Sequence, residues 1–306
     1  SIASKVLMKI LYAARMAGFD LLRAVNALAS KVTKWTPLCD EQLFRLVCCI
    51  NSTLDFYMYG WIGDTKEDLE LVLYCDADLA GDRTDSKSTS GVFLCLMGPS
   101  SFIPLSAVSK KQTSVSKSTP EAEIIAIDRG LCKEGIPALG MWEFIFGRKM
   151  VIHLMEDNSA ACRILITGKS PSMRHMSRTQ RIDIGALNEL YSQKIFRFID
   201  CPSEYQGADM FTKHFTDSRV WHRNMCLVGH FRRGTIIKAG AHNVCAAIKD
   251  GNSSCNNSSA STSPATLEVH AGGSLPGVPE DVVEEVVVAI AERANRHVNA
   301  IEKLLS

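Results

Sequence analysis

Leu69-Glu70-Leu71-Val72-Leu73-Tyr74-Cys75-Asp76 is the stretch on which the reading of the fold turns. It is apolar except at Glu70, has no helical period, and runs straight into an acid, so it predicts a strand ending at Asp76. Downstream, Gly91 to Met97 reads as a second strand, closed by Gly98-Pro99. Phe102 to Ser109 reads as a third, and Pro104 places it at a sheet edge. Ser118-Thr119-Pro120-Glu121 then opens a helix, with a capping hydroxyl, an early proline and an early acid. That helix carries Ala122, Ile124, Ile125 and Ile127 and continues past Gly135 and Pro137 to Phe146. Met150 to Met155 predicts a fourth strand, ending at Asp157, with a helix from about Asn158. Arg178 to Gln193 reads as a helix, Ile195 to Ile199 as a fifth strand, and Ala208 to His214 as the start of a last helix. Three adjacent strands, a helix, then strand–helix units predict an α/β fold with a mixed five-stranded sheet flanked by helices.

The flanks differ in character. In residues 1–66, Met8, Leu11, Ala14, Leu21, Leu22, Val25 and Leu28 recur at the spacing of a first helix. A second runs from Glu41 to Asn51, with Leu43, Leu46, Val47 and Ile50 on one side, and Trp35-Thr36-Pro37 separates the two. Residues 67–217 form the α/β unit, and residues 218–250 a helical or irregular extension. Residues 251–278, rich in Ser, Asn and Gly, read as a flexible linker. Residues 279–306 read as an amphipathic helix, with Val283, Val287, Ile290, Ala294, Val298, Ile301 and Leu305 in steps of three and four. Such a stripe serves self-association or packing on its own domain.

Composition sets outer bounds. At 306 residues there is room for one full domain plus extras. A net charge of +1 gives no global basic field, so contact with nucleic acid requires a local patch. Eleven cysteines with no preceding secretory signal and irregular spacing, Cys48-Cys49 apart, read as reduced thiols of an intracellular protein, cytoplasmic or nuclear. No apolar run reaches membrane-spanning length, so no membrane partner is expected. Ser1 rather than methionine opens the sequence, as expected of a cut end.

Carboxylates at strand and helix ends carry the chemistry. Asp76 and Asp157 end two strands, and ligands of open α/β sheets bind beyond the carboxyl ends of strands. Glu123 lies in the first turns of one helix and Asp209 at the start of another. Converging oxygen ligands suit magnesium, and a pair of such ions about 4 Å apart serves phosphodiester cleavage. His214, His222, Cys226 and His230 match no zinc-finger spacing and read as scattered helix residues. Tyr74-Cys75-Asp76-Ala77-Asp78 lacks the adjacent acids of a polymerase motif.

Six motifs in order resemble one known family. Cys75-Asp76-Ala77-Asp78-Leu79-Ala80-Gly81 and Lys87-Ser88-Thr89-Ser90-Gly91 are similar to the opening of the ribonuclease H domain of copia-type LTR retrotransposon Pol polyproteins. That family reads Ser-Asp-Ala-Asp-Trp-Ala-Gly and Lys-Ser-Thr-Ser-Gly there. Ser109-Lys110-Lys111-Gln112, Ser118-Thr119-Pro120-Glu121-Ala122-Glu123 and Glu156-Asp157-Asn158-Ser159-Ala160 resemble its Ser-Lys-Lys-Gln, Ser-Ser-Thr-Glu-Ala-Glu and Cys-Asp-Asn-Gln-Ser-Ala. Arg178-Thr179-Gln180-Arg181-Ile182-Asp183-Ile184 and Gly207-Ala208-Asp209-Met210-Phe211-Thr212-Lys213 resemble Arg-Thr-Lys-His-Ile-Asp-Ile and Leu-Ala-Asp-Ile-Phe-Thr-Lys. Upstream, Ala14-Arg15-Met16 and Leu22-Arg23-Ala24-Val25-Asn26 look like the segment that joins reverse transcriptase to ribonuclease H.

The resemblance implies a ribonuclease H-like fold and endonucleolytic cleavage of the RNA strand of RNA–DNA hybrids. Its two magnesium ions, with manganese as substitute, would be held by Asp76, Glu123, Asp157 and Asp209, with Glu121 the competing assignment for Glu123. The order Asp, Glu, Asp, Asp departs from that of integrases and transposases, whose glutamate comes last. Arg83, Lys110, Lys111, Lys117 and Asn158 stand beside these acids and are the candidates for contact with the hybrid. Leu79, Cys75, Pro120 and Arg181 replace the family's tryptophan, serine, threonine and histidine, and none of the changes removes a carboxylate. The loop from Cys201 to Ala208 lacks the histidine that cellular ribonucleases H carry before the last acid. The rival expectation is an inactive relic of such an element that folds and binds nucleic acid or a protein without cutting.

Overall fold

A computed structural model describes residues 2–81, 85–233, 235–236 and 270–271. Arg83, almost all of the expected linker and the expected C-terminal helix fall outside the described residues.

The apolar runs become a five-stranded sheet made of β2 (Glu70–Asp78), β3 (Thr89–Gly98), β4 (Ser101–Lys111), β5 (Ile152–Glu156) and β6 (Phe196–Asp200). A short strand, β1 (Phe56–Met58), precedes them and lies outside this sheet. The order is β4-β3-β2-β5-β6, with β3 antiparallel to both neighbours and β5 and β6 parallel to β2. This is the mixed five-stranded sheet, flanked by helices, that the sequence leads us to expect. Pro104 sits on the edge strand β4, beside a register shift at Leu94/Cys95, where its missing N–H costs little.

Alternation along the strands divides the core. Leu71, Leu73 and Cys75 of β2 and Val92, Leu94 and Leu96 of β3 face one side. That side is covered by α4 (Thr119–Gly130), α5 (Ile136–Phe146), α6 (Ser159–Thr167) and α8 (Ile184–Ser192). A π-turn, Leu131–Gly135, joins α4 to α5, and Pro137 falls in the first turn of α5, where its missing N–H costs little. Val72 and Tyr74 with Phe93, Cys95 and Met97 face the other side. Both faces are dry, which explains strands that read as continuous apolar runs.

The second face is covered by the ends of the chain's described part. Three helices come first, α1 (Ile2–Ala17), α2 (Leu22–Ala29) and α3 (Pro37–Ser52), with a small core of their own around Leu7, Ile10, Val25, Leu46 and Ile50. The single first helix expected from Met8 to Leu28 is broken at Gly18, a poor helix former. The turn Phe19–Leu21 then drops Phe19 onto the sheet, edge-on to Phe93 at 6.4 Å. After the sheet, α9 (Ser218–Leu227) leads to β7 (His230–Arg232), which pairs antiparallel with β1. Sequence patterning did not disclose that pairing, because three-residue strands carry no period. A further pair of two-residue strands joins Thr235–Ile236 to His270–Ala271.

Two more expectations need correction. The helix read over Arg178 to Gln193 is two, α7 (Met176–Thr179) and α8, because Arg181 takes a left-handed φ of 59° and Asp183 caps a new start by accepting from the Gly185 N–H at 2.8 Å. The helix expected from Ala208 is one short 3-10 stretch, Gly207–Phe211. No described helix is long and apolar enough to cross a membrane.

Candidate metal centre

Strand register sets the site. β5 runs parallel to β2 with Tyr74 opposite Met155, and β5 ends at Glu156 while β2 continues to Asp78. The sequence ends β2 at Asp76, but the strand runs two residues further, held by β3 alone. Asp76 therefore faces the gap where β5 has stopped, level with Asp157.

Glu123 enters from α4. Ser118 stands at the N-cap of that helix and Pro120 in its first turn as expected, but the Ser118 hydroxyl makes no capping bond; one turn later Glu123 is buried against the sheet. Gly130 allows this approach, since a Cβ there would meet Cys75 Sγ at 2.6 Å. Asp157 leaves β5 just before Asn158, whose Oδ1 caps α6 by accepting from the Ala160 and Ala161 N–H groups. Ser203 donates to Asp157 Oδ2 at 2.9 Å. One carboxylate oxygen each from Asp76, Glu123 and Asp157 lies within 4.8 Å of the others, the one such group among the described residues. The His214, His222, Cys226 and His230 set does not converge there.

Asp209 stands apart from this trio, on the 3-10 stretch. Lys213 places its ammonium 2.6 Å from Asp209 Oδ1 and 3.9 Å from Asp76 Oδ1, so a cation already lies between the two acids. The Thr212 hydroxyl donates to Asp76 Oδ2. Gln206, wholly buried, ties this stretch to β2: its Nε2 donates to the Cys75 carbonyl at 3.0 Å and its Oε1 accepts from the Ala208 N–H. Gly91, paired with Asp76 in the ladder, lets the stretch come close. A Cβ there would sit 2.7 Å from the Ala208 carbonyl oxygen and 2.7 Å from Thr212 Cγ2.

Glu121, the competing assignment, turns away. Its carboxylate accepts from the Lys117 N–H at 3.0 Å and meets His175 Nε2 at 3.1 Å. Glu156, which sequence reasoning passed over, is buried behind Asp157 where the resembling family has cysteine. Its Oε1 accepts from the Asn158 N–H, and its Oε2 has no hydrogen-bond partner. Its only sequence signal is its place at the end of a buried strand.

The electrostatics are those of crowded acids. Burial pushes Glu123 up to about 10, with the Glu156, Asp76 and Asp157 carboxylates adding to it. Burial raises Glu156 well above the carboxylate range, and Asp157 and Asp76 add to that. Burial and then Asp76 push Asp209 up to about 7, against the pull of Lys213. Burial raises Asp76 as well, with Lys213 and Thr212 opposing. Burial lowers the Lys213 ammonium, yet Asp76 and Asp209 outweigh it and its pKa rises. Such a pocket is short of positive charge. Glu123 Oε2 is buried without a partner, and every converging donor is a hard oxygen, so the residues fit a magnesium or manganese ion.

Of the candidates for nucleic-acid contact, Lys110 and Lys117 are exposed, Lys111 is paired with Asp85 at 2.8 Å, and the Asn158 side-chain oxygen is engaged in its cap. No family model matches the chain. Among solved structures it is similar to LC11-RNase H1, isolated from compost by a metagenomic approach, with a TM-score of 0.30 and 17% identity, covering 47% of this chain and 92% of that one. It is also similar to the NurA nuclease from Sulfolobus solfataricus, with a TM-score of 0.28 and 14% identity, covering 65% and 67%.

Proposed function

We propose that this protein is a ribonuclease H that hydrolyses the RNA strand of RNA–DNA hybrids, as the nuclease part of a copia-type retrotransposon Pol polyprotein. The observation that carries the reading is the convergence of Asp76, Glu123 and Asp157 at the carboxyl edge of a mixed sheet, in the order of the six resembling motifs. Asp76, Glu123 and Asp157 would hold magnesium, with Asp209 the fourth ligand once Lys213 turns aside. Once bound there, the metal would activate a water and neutralise charge on the leaving oxygen.

The chain's own groups do the rest. Thr212 orients Asp76, Ser203 orients Asp157, and Gln206 with Gly91 fixes the distance of the Asp209 segment from β2. Lys213 compensates Asp76 and Asp209 in the metal-free protein. Lys110 and Lys117, exposed beside the site, are suited to phosphates, which position a duplex without reading its sequence. The 2′-hydroxyls of one strand are what distinguish a hybrid from DNA.

The test is cleavage of a labelled RNA–DNA hybrid with magnesium or manganese. Wild-type protein should cut the RNA strand and spare the DNA strand. Asp157→Asn keeps the side chain's shape, removes its charge, and should abolish cutting while hybrid binding persists. Binding without any cutting by the wild type, under either metal, would transfer the reading to an inactive relic.

A further inference from the structure

Beyond the acids, α2, α3 and the ends of β3 and β4 enclose a groove of about 590 Å³. Its walls carry Arg23, Lys31, Arg45 and Lys111, and no carboxylate lines it among the described residues. The groove is joined to the acidic centre through bonds rather than by mere proximity. Asn26 Nδ2 donates to the Ser109 carbonyl of β4 at 3.0 Å, which seats α2 on the sheet's edge strand. Arg23 Nε donates to the Thr212 carbonyl at 3.0 Å, and Thr212 is the residue whose hydroxyl holds Asp76.

The four cations are not equivalent. Arg23 is spent on Asp78 at 3.5 Å and Lys111 on Asp85 at 2.8 Å. Lys31 has a neutral contact, the Gln42 side-chain oxygen at 3.4 Å, and Arg45 is exposed. Neither Lys31 nor Arg45 has a carboxylate in ion-pair range among the described residues. His214 at the rim is held below its usual pKa by burial and by Arg23, so it offers a neutral hydrogen-bonding edge. Two uncompensated cations in a concave wall focus potential at a chain whose net charge is +1. The groove's wall reaches His214, next in the chain to Lys213, whose ammonium meets both Asp209 and Asp76, so a backbone lying along the groove leads to the acids.

We infer that this groove is a track for the sugar–phosphate backbone of the nucleic acid that enters the acidic centre, with Lys31 and Arg45 as its phosphate contacts. The inference rests on the nuclease reading and adds to it. It makes α2 and α3 part of the substrate surface, although sequence analysis sets them in a separate helical segment.

The test is hybrid binding by fluorescence anisotropy in EDTA, over a range of salt, with a duplex of about two turns. Lys31→Glu with Arg45→Glu is compared with Lys66→Glu and Lys149→Glu, an equal charge change on exposed lysines at the other end of the sheet. Circular dichroism confirms that both double variants fold. The groove variant should lose about tenfold or more in affinity, and its slope of log affinity against log salt should fall by about 2, one per phosphate contact. The control should keep the wild-type slope. Equal losses in the two variants, or an unchanged slope in the groove variant, overturn the track while leaving cleavage by the wild type intact. A wild type that binds hybrid in EDTA but never cuts it when magnesium or manganese is supplied overturns the cleavage reading alone. A wild type that does not bind hybrid at all overturns both.

Discussion

Gly91→Ala puts one methyl group where the 3-10 stretch bearing Asp209 crosses β3. The new Cβ would lie 2.7 Å from the Ala208 carbonyl oxygen, 2.7 Å from Thr212 Cγ2 and 3.2 Å from Phe211 Cβ. Two of these are backbone or short β-branched atoms that cannot swing away, so the stretch must move outward by roughly 0.7 Å to restore ordinary contact. Overpacking of this kind costs about 1–3 kcal/mol. For a folded region of this size that lowers Tm by roughly 3–10 °C. The same displacement moves Thr212 off Asp76 and Asp209 away from the trio, and misplacement of about 1 Å at a reacting centre costs on the order of a hundredfold in rate. Cleavage should thus fall by about ten- to a hundredfold at temperatures where the variant is fully folded. The assays are a thermal melt and single-turnover cleavage of a hybrid. Gly140→Ala is the control: it lies on α5 with nothing within 4 Å of its Cβ, and should be neutral or slightly stabilising. Wild-type melting and rate for Gly91→Ala would refute the argument that this close approach sets the geometry of the site.

Three further outcomes follow from the acids. Glu123 and Asp209, raised to about 10 and about 7 from 4.5 and 3.8, bind protons more tightly folded than unfolded. The share of stability that these two acids contribute to the metal-free protein should therefore be full near pH 4 and be lost as pH rises, the Asp209 part by about pH 7 and the Glu123 part by about pH 10. Magnesium should raise Tm most at the alkaline end, and melts that are flat from pH 5 to 9 with no magnesium effect would count against the carboxylate cluster. Glu121→Gln should keep cutting, since Glu121 serves His175, whereas Glu123→Gln should abolish it; the reverse result in the cleavage assay would return the ligand role to Glu121. Glu156→Gln removes a buried acid beside the trio and should raise the metal-free Tm at pH 8 by the equivalent of about 1 kcal/mol, so a lower Tm there would show that the carboxylate is needed for packing.

The sequence by itself determined the strands and most of the acids. Strands buried on both faces are written as local apolar runs, and the turn and cap residues at Gly98-Pro99, Ser118-Thr119-Pro120 and Asn158 mark their limits without reference to anything distant. The acids Asp76, Glu123 and Asp157 are legible because each sits at a strand end or in the first turns of a helix, inside a motif that is contiguous in the chain. What only the tertiary structure decided is anything that depends on residues far apart. The pairing of β1 with β7 joins Phe56 to Arg232, and no local period encodes it. Gly18 breaks a helix whose period is otherwise sound, because Phe19 gains a place against Phe93. The choice of Glu123 over Glu121 follows from α4 lying close on β2 at Gly130, which turns one acid to the cluster and the other to His175. Glu156, Gln206, Thr212 and Lys213 acquire their roles the same way. A side chain's polarity is local, whereas its partner is set by how two distant segments come to pack.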